Sequence, residues 1–142
     1  MRTKYNQTTL AVIPARYSSS RFPGKPLAKI DGKTMIQHVW ERAVKTKGID
    51  EVVVATDDER ILLSVEKFGG EAILTSSNHK TGTDRIVEAL SGRSCDWVLN
   101  VQGDEPLISP IDLENLIKKA QNTYGIKGAT LIYKINDHKM LK

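Results

Sequence analysis

With 142 residues, 39% of them apolar and 27% charged, the chain has the length and composition of one globular domain with a core of ordinary size, which argues against disorder. A formal net charge of +4, with Lys and Arg scattered among acids, points to an anionic ligand without demanding nucleic acid. The single cysteine, Cys95, has no disulfide or metal-spacing companion, no run approaches the roughly 20 apolar residues of a membrane span, and the start MRTKYNQTT lacks a signal peptide's apolar region, so a cytoplasmic protein with neither membrane nor nucleic-acid partner is expected.

The first element follows a polar segment over residues 1–9. Leu10 to Ile13 is a short apolar run stopped by Pro14, as a buried strand would be. A basic loop comes next, ARYSSSRFPGKP. In GKTMIQHVWERAVKTKG the side chains Ile36, Val39, Trp40, Ala43 and Val44 recur at three-four spacing, which predicts a helix capped by Thr34 and ended before Gly48. EVVVAT, Glu51 to Thr56, is continuous and β-branched, the pattern of a central strand, and Asp57 and Asp58 stand at its end. Ile61, Leu62, Val65 and Phe68 form a second helical stripe closed by Gly69 and Gly70, and Ala72 to Leu74 reads as a short strand.

The alternation continues after the polar loop SSNHKTGT. Asp84 to Leu90 predicts a helix, Trp97 to Val101 a buried strand, and QGDEP the loop behind it. Ser109 as cap, Pro110 in the first helical position and Asp112 in the third start another helix, broken by Gly125 and Gly128. ATLIYKI, Ala129 to Ile135, completes the set as a fifth strand. Strands alternating with helices of about 10–15 residues predict an α/β domain over residues 10–142: three layers, a mainly parallel sheet with helices on both faces.

That architecture locates a site before any motif is named, because open parallel sheets bind ligands outside the carboxyl ends of their strands, where the strand order reverses. The loops expected there are ARYSSSRFPGKP, DD, SSNHKTGTD and QGDEP. The first is not a Walker A loop, since Ser19 stands where the first glycine belongs and Pro26 where the hydroxyl belongs; with one glycine it is not a dinucleotide fingerprint either. It carries Arg16, Arg21 and Lys25. Two guanidinium forks and one mobile ammonium suit a triphosphate, and at an effective dielectric near 20 each contact at about 4 Å carries roughly 4 kcal/mol before desolvation. The alternative is a solvated basic loop.

In QGDEP, Asp104 is the candidate ligand for Mg²⁺, a hard ion that takes one or two carboxylates together with phosphate oxygens and water. Glu105 is expected to point elsewhere, and Gln102 can donate to and accept from a sugar hydroxyl. The alternative is a plain strand-to-helix turn with solvated acids. His38, His79 and His138 stand at no metal-binding spacing; His79 lies in the loop nearest the site.

IPARYSSSRFPGKPL, ATDD, HKTGTDR and NVQGDEP, in this order and spacing, resemble the 3-deoxy-manno-octulosonate (Kdo) cytidylyltransferases, also called CMP-Kdo synthetases, from about Leu10 to Ile135. The resemblance implies a Rossmann-like nucleotidyltransferase domain that transfers CMP from CTP to the anomeric hydroxyl of Kdo and releases pyrophosphate, for lipopolysaccharide synthesis. It implies Arg16, Arg21 and Lys25 as triphosphate ligands, Arg21, Lys25 and Asp104 as catalytic residues, and Asp104 as a Mg²⁺ ligand. It also places Gly82, Thr83 and Arg85 around cytosine and ribose, and Gln102 toward the sugar acid. The family continues for roughly another hundred residues past the equivalent of Lys142, with most of the sugar pocket, a further metal-binding aspartate and the dimerisation arm. Two alternatives follow: a CTP-binding domain without turnover, or a cytidylyltransferase for a related sugar acid.

Overall fold

The computed structural model describes residues 7–131. Among these residues the central sheet has four strands, β1 (Thr9–Ala15), β4 (Glu51–Thr56), β5 (Glu71–Leu74) and β6 (Trp97–Asn100), in the order β5-β4-β1-β6. All pairings are parallel: Leu10 lies beside Glu51 and Val98, and Val54 beside Ala72. Between β1 and the first helix the chain makes a short 3-10 turn, Lys25–Leu27, and a two-stranded hairpin, β2 (Lys29–Ile30) with β3 (Lys33–Thr34). This hairpin lies outside the predicted elements.

The described residues include four helices, α1 (Met35–Lys45), α2 (Glu59–Lys67) and α3 (Gly82–Ala89) between strands and α4 (Pro110–Asn122) after β6. Their starts follow from local chemistry. Thr34, Asp58, Thr81 and Ser109 each accept a backbone N–H of the first turn, satisfying a donor that has no partner inside the helix. Helix α3 begins two residues earlier than the apolar pattern indicates, because Thr81 is the cap and Asp84 closes the motif by accepting the Thr81 hydroxyl at 2.7 Å.

Residues alternate along each strand between two cores. Ala11, Ile13, Ala15 and Val54 face one side with Ile36 and Val39 of α1, Ile61 and Val65 of α2, and Leu113 and Ile117 of α4. Leu10, Val12, Val53 and Ala55 face the other with Ile86 and Ala89 of α3. Each fully buried side chain of this size contributes roughly 1.5–3 kcal/mol, so the apolar β1 anchors both layers at once. The chain moves from β1 to β4 to β5 with helices on one face, then reverses direction to reach β6 with α3 on the opposite face. Reversing direction and changing face together keep one hand of crossover. The expected three-layer, mainly parallel α/β fold is therefore observed.

The expected fifth strand, Ala129 to Ile135, falls mostly outside the described residues; its described part, residues 129–131, has no regular structure. Among the described residues no helix is long and apolar enough to cross a membrane.

Candidate active site

The strand order reverses between β1 and β6, whose carboxyl ends lie side by side. A cleft of about 820 Å³ opens there, large enough for a small-molecule ligand. Its floor includes Pro14, Ala15 and Met35; the cationic loop lines it with Arg16, Arg21 and Lys25, and the loop after β6 with Gln102, Gly103 and Asp104. Glu105 is not among the lining residues, as expected from its direction. A smaller cleft of about 120 Å³ adjoins it, lined by His79, Thr81, Gly82 and Arg85. Pro14, Ala15, Arg16 and Gln102 border both, forming a partition.

A hydrogen-bonded ion pair joins the two loops of the larger cleft: Lys25 Nζ donates to Asp104 Oδ2 at 2.9 Å. Both side chains stay open to solvent, 41% and 54% exposed, so an incoming anion or cation can reach either. Arg16 and Arg21 are exposed and have no hydrogen bond or ion pair among the described residues. Among the described residues the cleft therefore holds one paired cation, Lys25, and two open ones, Arg16 and Arg21, around the Asp104 carboxylate. Gln102 is oriented by a 3.1 Å bond from Nε2 to Asn100 Oδ1.

Gly103 sets how closely the two sides approach. It is buried, and a Cβ on it would stand 2.8 Å from the carbonyl oxygen of Pro14, a backbone atom that cannot swing aside. Gly103→Ala is expected to push the β6 loop off β1, lowering stability by about 1–3 kcal/mol and displacing Asp104; thermal melting and nucleotide titration of the same variant check both effects.

The small cleft is braced differently. Arg85 is only 3% exposed, with its donors directed to Thr75 Oγ1, the Ser76 carbonyl at 3.3 Å and Asp57 Oδ2 at 3.1 Å. It borders the cleft but also ties the ends of β4 and β5 together, a job the resemblance does not give it. His79 pairs with Glu88, which also accepts the Ser76 amide at 3.0 Å; the His79 hydrogen bond, then the Ser76 one, hold the Glu88 carboxyl below the usual glutamate range. Thr83 is exposed in the first turn of α3 and lines neither cleft, whereas Thr81 does. A Cβ on Gly82 would meet Pro14 only at ordinary contact distance, so the glycine leaves room rather than relieving a clash.

Of the residues selected in the sequence, the structure thus gathers Arg16, Arg21, Lys25, Gln102 and Asp104 at one cleft and Gly82 and Arg85 at its neighbour, and leaves Thr83 outside both. Asp57, Thr81 and Glu88 are not among the residues selected in the sequence, although the DD and SSNHKTGTD loops that carry the first two are. Thr81 was accessible through its T-x-x-D capping pattern with Asp84; the partners of Arg85 and His79 are set by tertiary packing.

A model of the cytidylyltransferase family matches residues 10–140. The chain belongs to the cytidylyltransferase family. The 3-deoxy-manno-octulosonate cytidylyltransferase of Escherichia coli is 51% identical over 125 residues, 88% of this chain and 51% of that protein. The 8-amino-3,8-dideoxy-manno-octulosonate cytidylyltransferase of Shewanella amazonensis is 52% identical over 130 residues, 89% of this chain and 53% of that protein. Among solved structures, a CMP:2-keto-3-deoxy-manno-octonic acid synthetase complexed with CTP superposes with a TM-score of 0.82 at 50% identity, over 84% of this chain and 49% of that one. A more distant cytidylyltransferase from Leptospira borgpetersenii gives a TM-score of 0.75 at 25% identity, over 84% of this chain and 51% of that one. This cytidylyltransferase-family chain spans about half the length of the curated relatives it matches.

Proposed function

We propose that this chain is the CTP-binding half of a cytidylyltransferase for an eight-carbon sugar acid of the Kdo type. The observation that carries it is the meeting of Lys25 and Asp104 across the cleft at the reversal of strand order, with Arg16 and Arg21 open beside them. Half-identity to Kdo cytidylyltransferases and to a synthetase solved with CTP supplies the chemical identity.

In this reading the phosphates occupy the larger cleft. Arg21 and Lys25 bind the β and γ phosphates, Arg16 reaches from the partition, and the nucleoside extends into the smaller cleft over Gly82. A sugar hydroxyl held toward Gln102 attacks the α-phosphorus in line, and pyrophosphate leaves toward the cations. The proton of that hydroxyl passes to solvent or to a base outside the described residues. Catalysis by these residues is positioning and charge stabilisation rather than a covalent intermediate.

Asp104 fits a Mg²⁺ ligand: its carboxylate is exposed in the cleft, and its partner Lys25 is a side chain that phosphates would draw toward themselves. No group of three His, Cys, Asp or Glu side chains gathers as a metal site among the described residues, so Asp104 would share the ion with nucleotide oxygens and water. When bound, the ion neutralises phosphate charge that the loop cations do not reach.

Titration of CTP against ATP with Mg²⁺, followed by assay of pyrophosphate release on adding Kdo, tests the reading. Preferential CTP binding is expected; equal binding of both nucleotides with a steep salt dependence would reduce the cleft to a general polyanion site. Because identity to the amino-sugar relative is as high as to the Kdo relative, the 8-amino sugar is assayed alongside.

A further inference from the structure

Tyr17 follows Arg16 at the start of the cationic loop, yet it does not line the cleft. Its carbonyl accepts the Gly24 amide at 2.8 Å, which closes residues 17–24 into a ring with Arg21 inside and Lys25 immediately after. Gly24 has φ +71°, and a Cβ there would stand 2.9 Å from Tyr17 Cε2, so the returning backbone rests against the phenol. The same phenol ring carries the Arg60 guanidinium, whose central carbon is 3.4 Å from the ring centroid. Arg60 is in turn gripped at two points by Asp58, Nε to Oδ1 at 2.9 Å and Nη2 to Oδ2 at 2.7 Å. Asp58 is the residue that caps α2, accepting the Arg60 amide at 2.9 Å. An unbroken series of contacts therefore runs from the first turn of α2 to the residue before Lys25.

We propose that Arg60 is a positioning residue for the cationic loop: stacked on Tyr17 and aimed by Asp58, it holds the Tyr17–Gly24 closure and so the placement of Arg21 and Lys25. Arg60 does not line the cleft, and its fork is engaged by Asp58, which argues against direct contact with a ligand there. The consequence for nucleotide binding rests on the phosphate-cradle reading above; the restraint on the loop does not.

The test pairs two measurements on the full chain: hydrogen exchange at the Gly24 amide, and CTP affinity. Arg60→Ala is expected to speed Gly24 exchange by about two- to fivefold, the range of an exposed cation–π contact, and to weaken CTP binding by a similar factor. Tyr17→Phe, which keeps the ring but loses the phenol oxygen that also faces Arg60, is expected to stay closer to the parent than Arg60→Ala in both, and Arg60→Lys, which keeps the charge but loses the fork to Asp58, to fall between parent and Arg60→Ala. The amide of Val12 in β1 is the internal control. Unchanged Gly24 exchange in Arg60→Ala overturns the proposal, and so does an equal increase at Val12, which marks a general loss of stability. Faster Gly24 exchange with CTP affinity unchanged supports the restraint and removes the phosphate-cradle reading instead.

Discussion

Asp57→Ala is expected to destabilise the protein by about 3–5 kcal/mol, because it leaves the Arg85 guanidinium buried without its counter-charge. Arg85 is 3% exposed and Asp57 14%, so solvent offers little compensation, and the remaining Thr75 and Ser76 acceptors are neutral. Asp57→Asn keeps an acceptor in place and is expected to lose less, which separates the charge from the hydrogen bond. Urea unfolding of the two variants measures the difference through their midpoints, with the slope unchanged. Equal midpoints for Asp57→Ala and the parent would show that Arg85 finds another partner. Because Arg85 lines the small cleft and not the larger one, the same variant is expected to loosen the small cleft while the larger one keeps its shape.

Lys25→Ala is expected to do the reverse. The Lys25–Asp104 pair is half exposed on both sides, and exposed pairs contribute roughly 0–1 kcal/mol, so the melting temperature should barely move. CTP binding should weaken by about 10- to 100-fold, the ~1.5–3 kcal/mol of a hydrogen bond to a charged group. Turnover, wherever pyrophosphate release is measurable, should fall by about 10²–10³ if the lysine meets its full charge only in the transition state. Isothermal titration with CTP beside a thermal melt checks the separation. Parent-like affinity at unchanged stability would take Lys25 out of the site.

The alternation of strands and helices was legible because each signal was local. A parallel central strand is apolar along its whole length, as Glu51 to Thr56 nearly is, and caps such as Thr34 and Ser109 act within three residues of themselves. The place of the candidate cleft follows from the strand–helix alternation, which puts it at the carboxyl ends of the strands. The β2–β3 hairpin carries an equally local signal: Asp31-Gly32 between Ile30 and Lys33 is a two-residue turn with φ of +49° and +80° at its centre, the conformation that Asp-Gly favours. Arg85 was hidden for another reason. Nothing in KTGTDR says that its guanidinium will be buried against Asp57, 28 residues away, and the Tyr17–Arg60 stack spans a separation that no spacing rule reaches. Thr83 and Thr81 show how much depends on phase. Beginning α3 at its cap turns Thr83 outward and puts Thr81 on the cleft.

The partition formed by Arg16 and Gln102 has a consequence for how such a site can diversify. A nucleotide lying across it would have its base judged by the loop before α3 and its phosphates handled by the loop after β1, two segments more than fifty residues apart that share only this wall. Substitutions in the residue 79–85 segment could then retune which base is accepted without disturbing the phosphate chemistry, and changes around Arg21 could alter the chemistry without relaxing base choice. Selectivity and reactivity become separable traits, each inherited with its own loop.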